Sequence, residues 1–414
     1  MPVPHFSIVG LFMTILNKLA DHQIWQDFLQ TKKDGGHLSK FDEKDLCDFV
    51  EQKRYIPVVQ SILSGQNLPL PTVAQINKKD TGKKRLVFVF EHDFNVVLKL
   101  LAHLLYKYDY LFADNLYSFR KTIGVKKAFA DVVEKTKGGK KYSYKVDIHD
   151  YFNSVDTNQM TALLDEFVCD DKPLNEFLKK LLMQPCCIKN GEKVECKKGI
   201  MAGMPVSGFL ANLFLKDMDD WFKQNNLAYA RYSDDVIVFA DSLHEIEQYQ
   251  KVIKTFLQQK GLKVNSKKEV CTTPDQKWEF LGFAIKNGQV DLADIALQKI
   301  KDKMHRKAKK LVMWKKRVGA NDERAIKAFI RTFNKKFFDN PKNHEITWCR
   351  WYFPTITTAN SLHVIDDYML SCIRYISTGK HTKANFNLRY DDIKQLGYKS
   401  LVNSYFKFKK TGNF

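Results

Sequence analysis

Residues 229–240 read YARYSDDVIVFA, two apolar strand-forming runs on either side of an Asp-Asp pair. The runs predict a hairpin centred on Ser233-Asp234. Adjacent carboxylates belong at its exposed turn, where each ionised group repels the other. A divalent cation relieves that repulsion. A second acidic strand end lies upstream: residues 145–155 (KVDIHDYFNSV) predict a strand closing on Asp147. One carboxylate from Asp147 and one from Asp234 would suit two Mg2+ ions about 3.5–4 Å apart. That arrangement serves in-line displacement at phosphorus. An Asp-Asp pair met in isolation is more often an ordinary polar turn.

Around these segments the chain alternates strand and helix signals. Residues 1–70 are helical with a loop at 32–36, and the apolar run 8–16 reads as a core helix too short to span a bilayer. Residues 73–90 form a strand-turn-strand unit turning at 80–82, and 94–106 a buried helix. Residues 142–148 are a strand and 157–167 a helix, with helical character to 182 broken only at Lys172-Pro173. An amphipathic helix over 208–222, a helix over 245–260 and a hairpin over 280–290 turning at Asn287-Gly288 follow. Beyond 291 the pattern is almost wholly helical. The order implies an α+β region followed by a helical lobe.

Charge separates the two. The chain has 414 residues and a net charge of +20, and from residue 290 onward it carries 26 Lys/Arg against 11 Asp/Glu, a net +15. Such an excess points to a polyanion, nucleic acid above all. Residues 299–317 hold ten Lys/Arg and one acid, with Ile300, Met304, Ala308, Leu311 and Val312 at helical spacing. One face should pack and the other, with Lys309, Lys310, Lys315 and Lys316, should meet phosphate; a membrane-surface helix is the alternative. Helices over 325–338 and 361–376 would complete a three-helix bundle, with Trp348, Trp351 and Tyr352 packing it. The eight cysteines include no CxxC pair and read as reduced thiols of a cytoplasmic protein, although Cys186, Cys187 and Cys196 flank a hairpin at Asn190-Gly191.

With these segments in place, the chain resembles the reverse transcriptases. Tyr232-Ser233-Asp234-Asp235 is similar to their YxDD box. Asp147 followed by Phe152 resembles the first catalytic block, where the aromatic lies under the sugar and disfavours a 2′-hydroxyl. Residues 199–213 (GIMAGMPVSGFLANL) resemble the nucleotide-pocket block, which includes Ala202 and Gly203. Residues 261–268 (GLKVNSKK) resemble the block whose lysine, here Lys268, protonates departing pyrophosphate. The turn at 280–283 with Gly282 resembles the primer grip. Lys78 and Arg85 resemble the fingers hairpin that clamps the triphosphate, and residues 117–120 (YSFR) with Arg120 resemble the adjoining block of bacterial retroelement enzymes. These blocks run in the family's order from about 77 to 283.

The resemblance implies a right-hand polymerase fold: an N-terminal helical extension (1–70), fingers (71–146), a palm (147–290) with Asp147, Asp234 and Asp235 as catalytic metal ligands, and a basic helical thumb (291–414). It implies two Mg2+ ions, with Mn2+ a possible substitute. The expected partners are dNTPs, a DNA primer or product and an RNA template, and no membrane. The template is expected to be a structured non-coding RNA, and the setting bacterial antiviral defence. Two positions depart from the family pattern: Ala202 stands where Gln is usual, and Gly208 where Pro follows the Ser. These departures, with the 397–410 tail, resemble the bacterial abortive-infection, defence-associated and retron branches. Untemplated or protein-primed synthesis, a retron or mobile-element enzyme, and a silent RNA-binding scaffold are the rival readings.

Overall fold

The structure, a computed structural model, describes residues 14–35, 38–77, 84–136, 141–195, 199–338, 347–380 and 382–413. Its strands are β1 Thr72–Asn77, β2 Lys84–Val89, β3 Tyr142–Asp147, β4 Cys186–Lys189, β5 Glu192–Glu195, β6 Tyr229–Tyr232, β7 Asp235–Ala240, β8 Val270–Thr272, β9 Trp278–Phe280, β10 Phe283–Lys286 and β11 Gln289–Leu292. They form sheets of order β2-β1-β4-β5, β6-β7-β3-β8 and β11-β10-β9. The class is α+β, as expected. The chain divides into two compact units, one of Met1–Gly124, Lys145–Val238 and Glu247–Val270, the other of Val125–Tyr144, Phe239–Ile246 and Cys271–Phe414.

In the first unit the helix Thr157–Phe167 opens on Asp156, whose carboxylate accepts from the Gln159 N–H at 2.9 Å. Pro173 starts the next helix, Lys172–Met183, rather than breaking a longer one, because a missing N–H costs nothing in a first helical turn. The cap of that helix, Asp171, is buried and also accepts from the Ile15 N–H at 2.7 Å. The expected loop at 32–36 is mostly helical, since His22–Asp34 forms one helix over a Trp25 and Phe28 core. The expected single helix over 208–222 is two, Ser207–Phe214 and Lys216–Gln224, parted at Leu215 (φ −112°). Every residue of the first is buried, so only the second keeps a polar face. Cys187, read as a reduced thiol, is disulfide-bonded.

In the second unit the helices Asp294–Val318, Asp322–Phe337 and Asn360–Thr378 pack on one another. The first buries Ile300, Met304, Ala308, Leu311 and Val312, the five residues read as its apolar stripe. Lys309, Lys310 and Lys316 are exposed. Lys315 is placed differently. Its ammonium donates to the carbonyls of Ile376 (2.8 Å) and Ser377 (2.6 Å) and to Asp322 (2.6 Å), capping the C-terminal turn of Asn360–Thr378. Trp348 packs on Phe337 and Tyr352, with ring centroids 5.5 and 4.6 Å apart. Both expected turns of the small sheet are present: Leu281-Gly282 and Asn287-Gly288 all have positive φ, as type I′ hairpins require.

Buried Asp366 organises the C-terminal helix Leu401–Thr411. It accepts from Ser400 Oγ (2.7 Å) and from the Leu401 and Val402 N–H groups (2.9 and 3.1 Å). These donors are orphaned at a helix start, and losing their acceptor costs about 1–3 kcal/mol. Asp366→Ala should therefore release residues 396–413 first. Limited proteolysis should cut the variant near 380–400 while the three-helix core stays protected; an unchanged digestion pattern would remove this role from Asp366.

Candidate active site

Strands β6 and β7 pair antiparallel in register Tyr232↔Asp235, so residues 233 and 234 make a two-residue turn. Ser233 takes φ +60°, and its N–H donates to Ser118 Oγ at 2.8 Å. Ser118 is fully buried and in turn donates to Asn212 Oδ1 at 3.2 Å, while Asn212 Nδ2 donates to the Ser118 carbonyl at 2.8 Å. Beneath the turn lies Arg231, wholly buried, with its guanidinium 2.5 Å from Asp219 Oδ2. Tyr229 Oη donates to the same carboxylate at 2.8 Å, and Arg231 also donates to the carbonyls of Ser233 and Asn212, both at 3.3 Å. Burial alone works against the arginine's charge, but the adjoining Asp219 carboxylate outweighs it and moves the guanidinium above its ordinary value.

The turn meets the end of β3 through one backbone bond, Ile148 N–H to the Asp234 carbonyl at 2.9 Å. Asp147 is thereby brought beside the Asp-Asp pair. Its carboxylate is 6% exposed and its position is fixed by Asn265, whose backbone N–H donates to the Asp147 carbonyl (2.9 Å) and whose Nδ2 donates to Oδ1 (3.0 Å). The Lys268 ammonium sits on Oδ2. Arg85 of β2 stands 4.0 Å from Asp234 Oδ2. Burial, then Asp147, pushes the Asp234 carboxyl up. Asp235 is pushed up to about 6, chiefly by burial, with Lys145 opposing and Asp234 and Asp147 adding to the rise.

The pocket loop is built on close backbone approach. Gly199 has φ +54°, and a Cβ there would lie 2.3 Å from the Phe152 carbonyl oxygen, so only glycine fits. The Ile200 N–H donates to that same carbonyl at 2.8 Å. Ala202 is buried, its carbonyl accepting from the Phe88 N–H at 2.8 Å, so this position offers no side-chain donor. Gly203 lies against β2, where a Cβ would be 3.2 Å from the Phe88 carbonyl. Ser207, at the start of its helix, does not cap it but donates Oγ to the Ile200 (2.5 Å) and Met201 (2.8 Å) carbonyls and so closes the loop.

The structure thus gathers Asp147, Asp234, Asp235, Lys268 and Arg85, with Phe152 half-buried beside the Gly199 loop. Lys78 lies outside the described residues. Arg120 is turned to the scaffold: its guanidinium donates to the Ala113, Leu116 and Asp109 carbonyls at 3.0–3.3 Å. Gly282 belongs to the second unit, where a Cβ would stand 3.4 Å from the Tyr352 hydroxyl. Sequence reasoning passed over Asn265, Ser118, Asn212 and the Arg231–Asp219 pair. Arg231 carried a usable signal, since a cation in an apolar strand run demands a buried carboxylate.

Three hard oxygen donors, two of them (Asp234 and Asp235) with carboxyls pushed up by burial and by neighbouring carboxylates, suit a hard divalent cation. Among the described residues no three metal-ligating side chains already form a closed cluster; the Lys268 ammonium holds one Asp147 oxygen instead.

Residues 76–285 match the family described as reverse transcriptase (RNA-dependent DNA polymerase). The chain belongs to the reverse transcriptase family. Its fold is accordingly the right-hand polymerase fold of that family. Retron Ec86 reverse transcriptase from Escherichia coli is 23% identical over 219 residues, which are 50% of this chain and 64% of that relative, less than two thirds of its length. Two solved structures align more loosely. Telomerase from Candida albicans, in complex with a fragment of telomeric RNA, has a TM-score of 0.44 at 11% identity over 89% of this chain and 71% of that one. Apo telomerase from Candida tropicalis has a TM-score of 0.41 at 16% identity, over 54% and 55%. No helix among the described residues is long and apolar enough to cross a membrane.

The raised Asp235 carboxyl makes a stability prediction. Folded at about 6 against an ordinary 3.8, it adds a penalty that is absent well below pH 3.8 and grows up to about pH 6 as the folded state resists ionisation. Asp235→Asn should stabilise the metal-free protein by about 1–3 kcal/mol at pH 7.5 and by only about 0.5 kcal/mol at pH 4. Melting temperatures of both proteins at the two pH values test this; an equal gain at pH 4 would rule out the electrostatic origin.

Proposed function

We propose that this chain is an RNA-directed DNA polymerase, joining dNTPs to a DNA primer on an RNA template. The observation that carries the reading is the juxtaposition of Asp147 with Asp234 and Asp235 at one strand end and one hairpin turn, in a chain of this family. Asp147 and Asp234 would hold Mg2+, with Mn2+ able to replace it, and Asp235 would support them. When bound, the metal lowers the pKa of an attacking hydroxyl and stabilises charge on the departing pyrophosphate. Arg85 would meet the triphosphate. Lys268, whose ammonium lies on Asp147, would serve the departing pyrophosphate. Phe152 supplies the wall under the sugar.

The second unit supplies the reading's nucleic-acid surface. Besides Lys309, Lys310 and Lys316, a groove of about 1120 Å³ is lined by Arg324, Lys327, Arg331, Lys335 and Lys399 against one acid, Glu323. Such a cationic helical lobe suits the role of thumb, gripping phosphate backbone. The template is proposed to be a structured non-coding RNA, and the setting bacterial antiviral defence; the Ec86 relative, a retron enzyme, favours an RNA-linked system.

Primer extension with purified protein, dNTPs, Mg2+ and an RNA template should give DNA. Chelation should abolish it, and Asp234→Ala should lower it at least about 100-fold while RNA binding persists. Undiminished synthesis by that variant would sink the site assignment, and product formed without any RNA would favour untemplated synthesis.

Binding should weaken steeply with salt. Replacing Lys309, Lys310 and Lys316 with Gln should flatten the log–log salt slope by about 2. Lys315→Gln should lower the melting temperature instead, because that ammonium already caps a helix. A slope unmoved by the triple change would take this helix out of the binding surface.

A further inference from the structure

Phe119 is a bulky residue in the left-handed region (φ +53°) whose side chain is nevertheless 45% exposed. That backbone conformation is unfavourable for a non-glycine residue and persists only when its surroundings impose it. Both neighbours do. Ser118 is fixed by Ser233 and Asn212, and Arg120 is fixed by three carbonyls. The Phe119 ring lies on Gly208, where a Cβ would be 2.6 Å from its Cγ and Cδ1. Gly208 is one of the two departures from the family pattern. Its missing side chain is the space the ring fills.

The ring also stands edge-on to Phe152, with centroids 6.1 Å apart and planes at 85°. Tyr151 abuts Phe152 as well, at 5.7 Å. The Phe152 ring is therefore held between two aromatic neighbours, and one of them is carried by a segment bonded to the Ser233-Asp234 turn. At Ala202, the other departure, no side-chain donor is available to orient a sugar.

We propose that Phe119 is a positioning residue that holds Phe152 against the sugar of the incoming nucleotide, with Gly208 as the position that makes room for it. Sugar selection in this chain then depends on an aromatic pair. The proposal rests on the polymerase reading above. Neither residue touches the reacting atoms; the selectivity is expressed through the stiffness of the Phe152 ring.

The test is the ratio of kcat/KM for dTTP over UTP on poly(rA)·oligo(dT), with melting temperatures taken alongside. Phe119→Gly relieves the strained φ while removing the ring, so the variant should fold as stably as the parent and its ratio should fall about tenfold. Gly208→Ala displaces the ring without removing it and should shift the ratio the same way, whereas Phe119→Tyr should stay within about twofold of the parent. Because Phe119 acts through Phe152, adding Phe119→Gly to Phe152→Leu should change the ratio no further than Phe152→Leu alone. A folded Phe119→Gly protein with an unmoved ratio overturns the proposal, as do fully additive effects in the double variant. A parent enzyme that incorporates no dTTP overturns the polymerase reading and this proposal with it.

Discussion

The site depends on a salt bridge that water does not reach. Arg231 and Asp219 are 0% and 1% exposed, so both charges lose their hydration on folding. Their attraction offsets that loss only because the geometry leaves almost nothing unpaired: the guanidinium makes three contacts with the carboxylate, and Tyr229 adds another donor. Two further N–H contacts reach the Ser233 and Asn212 carbonyls. A pair of well-packed apolar residues would hold these helices and strands together about as well. It would not reach those two carbonyls, which tie the Ser233-Asp234 turn to the helix Ser207–Phe214. The pair is best understood as a positioning device, and removal of one member alone would strand the other at about 3–5 kcal/mol.

Above that support the local energetics are unfavourable. Asp234 and Asp235 are both pushed toward protonation by burial and by neighbouring carboxylates. Phe119, Met201 and Ser233 all have positive φ, and hydrogen bonds of these residues or their neighbours lead to the turn or the pocket loop. Charge repulsion at Asp234 and Asp235 thus adjoins backbone strain at Ser233, a combination that a fold selected for stability alone would relieve. Lys268 and Arg85 moderate the repulsion without ending it. Both remain about half exposed to solvent, at 58% and 45% of their side-chain surface.

Much of this was legible in the sequence. The Asp147 strand end, the Ser233-Asp234 turn and the five buried residues of the Asp294–Val318 helix followed from period and charge alone, because burial imposes those periods directly. What stayed hidden depends on contacts between distant segments. Asn265 reaches Asp147 from 118 positions away, and Ser118 reaches Ser233 from 115. No local pattern encodes such a bond. Ser207 shows the same limit at short range: a serine at a helix start ordinarily caps, and only the folded loop reveals that its hydroxyl faces backward to carbonyls. The break at Leu215 was invisible for another reason, since apolar positions continue at helical spacing from the buried helix through Met218, Trp221 and Phe222 of the amphipathic one.

Charge was legible in total but not in use. The +15 carried from residue 290 onward suggests a uniform surface for phosphate. Lys315 takes no part in that surface, because three oxygens already surround its ammonium. Cations committed to carbonyls or carboxylates release few counterions when nucleic acid binds, and only the exposed remainder contributes to salt dependence. Formal charge therefore sets an upper bound on phosphate contacts. The working number is set by which lysines the helix ends leave free.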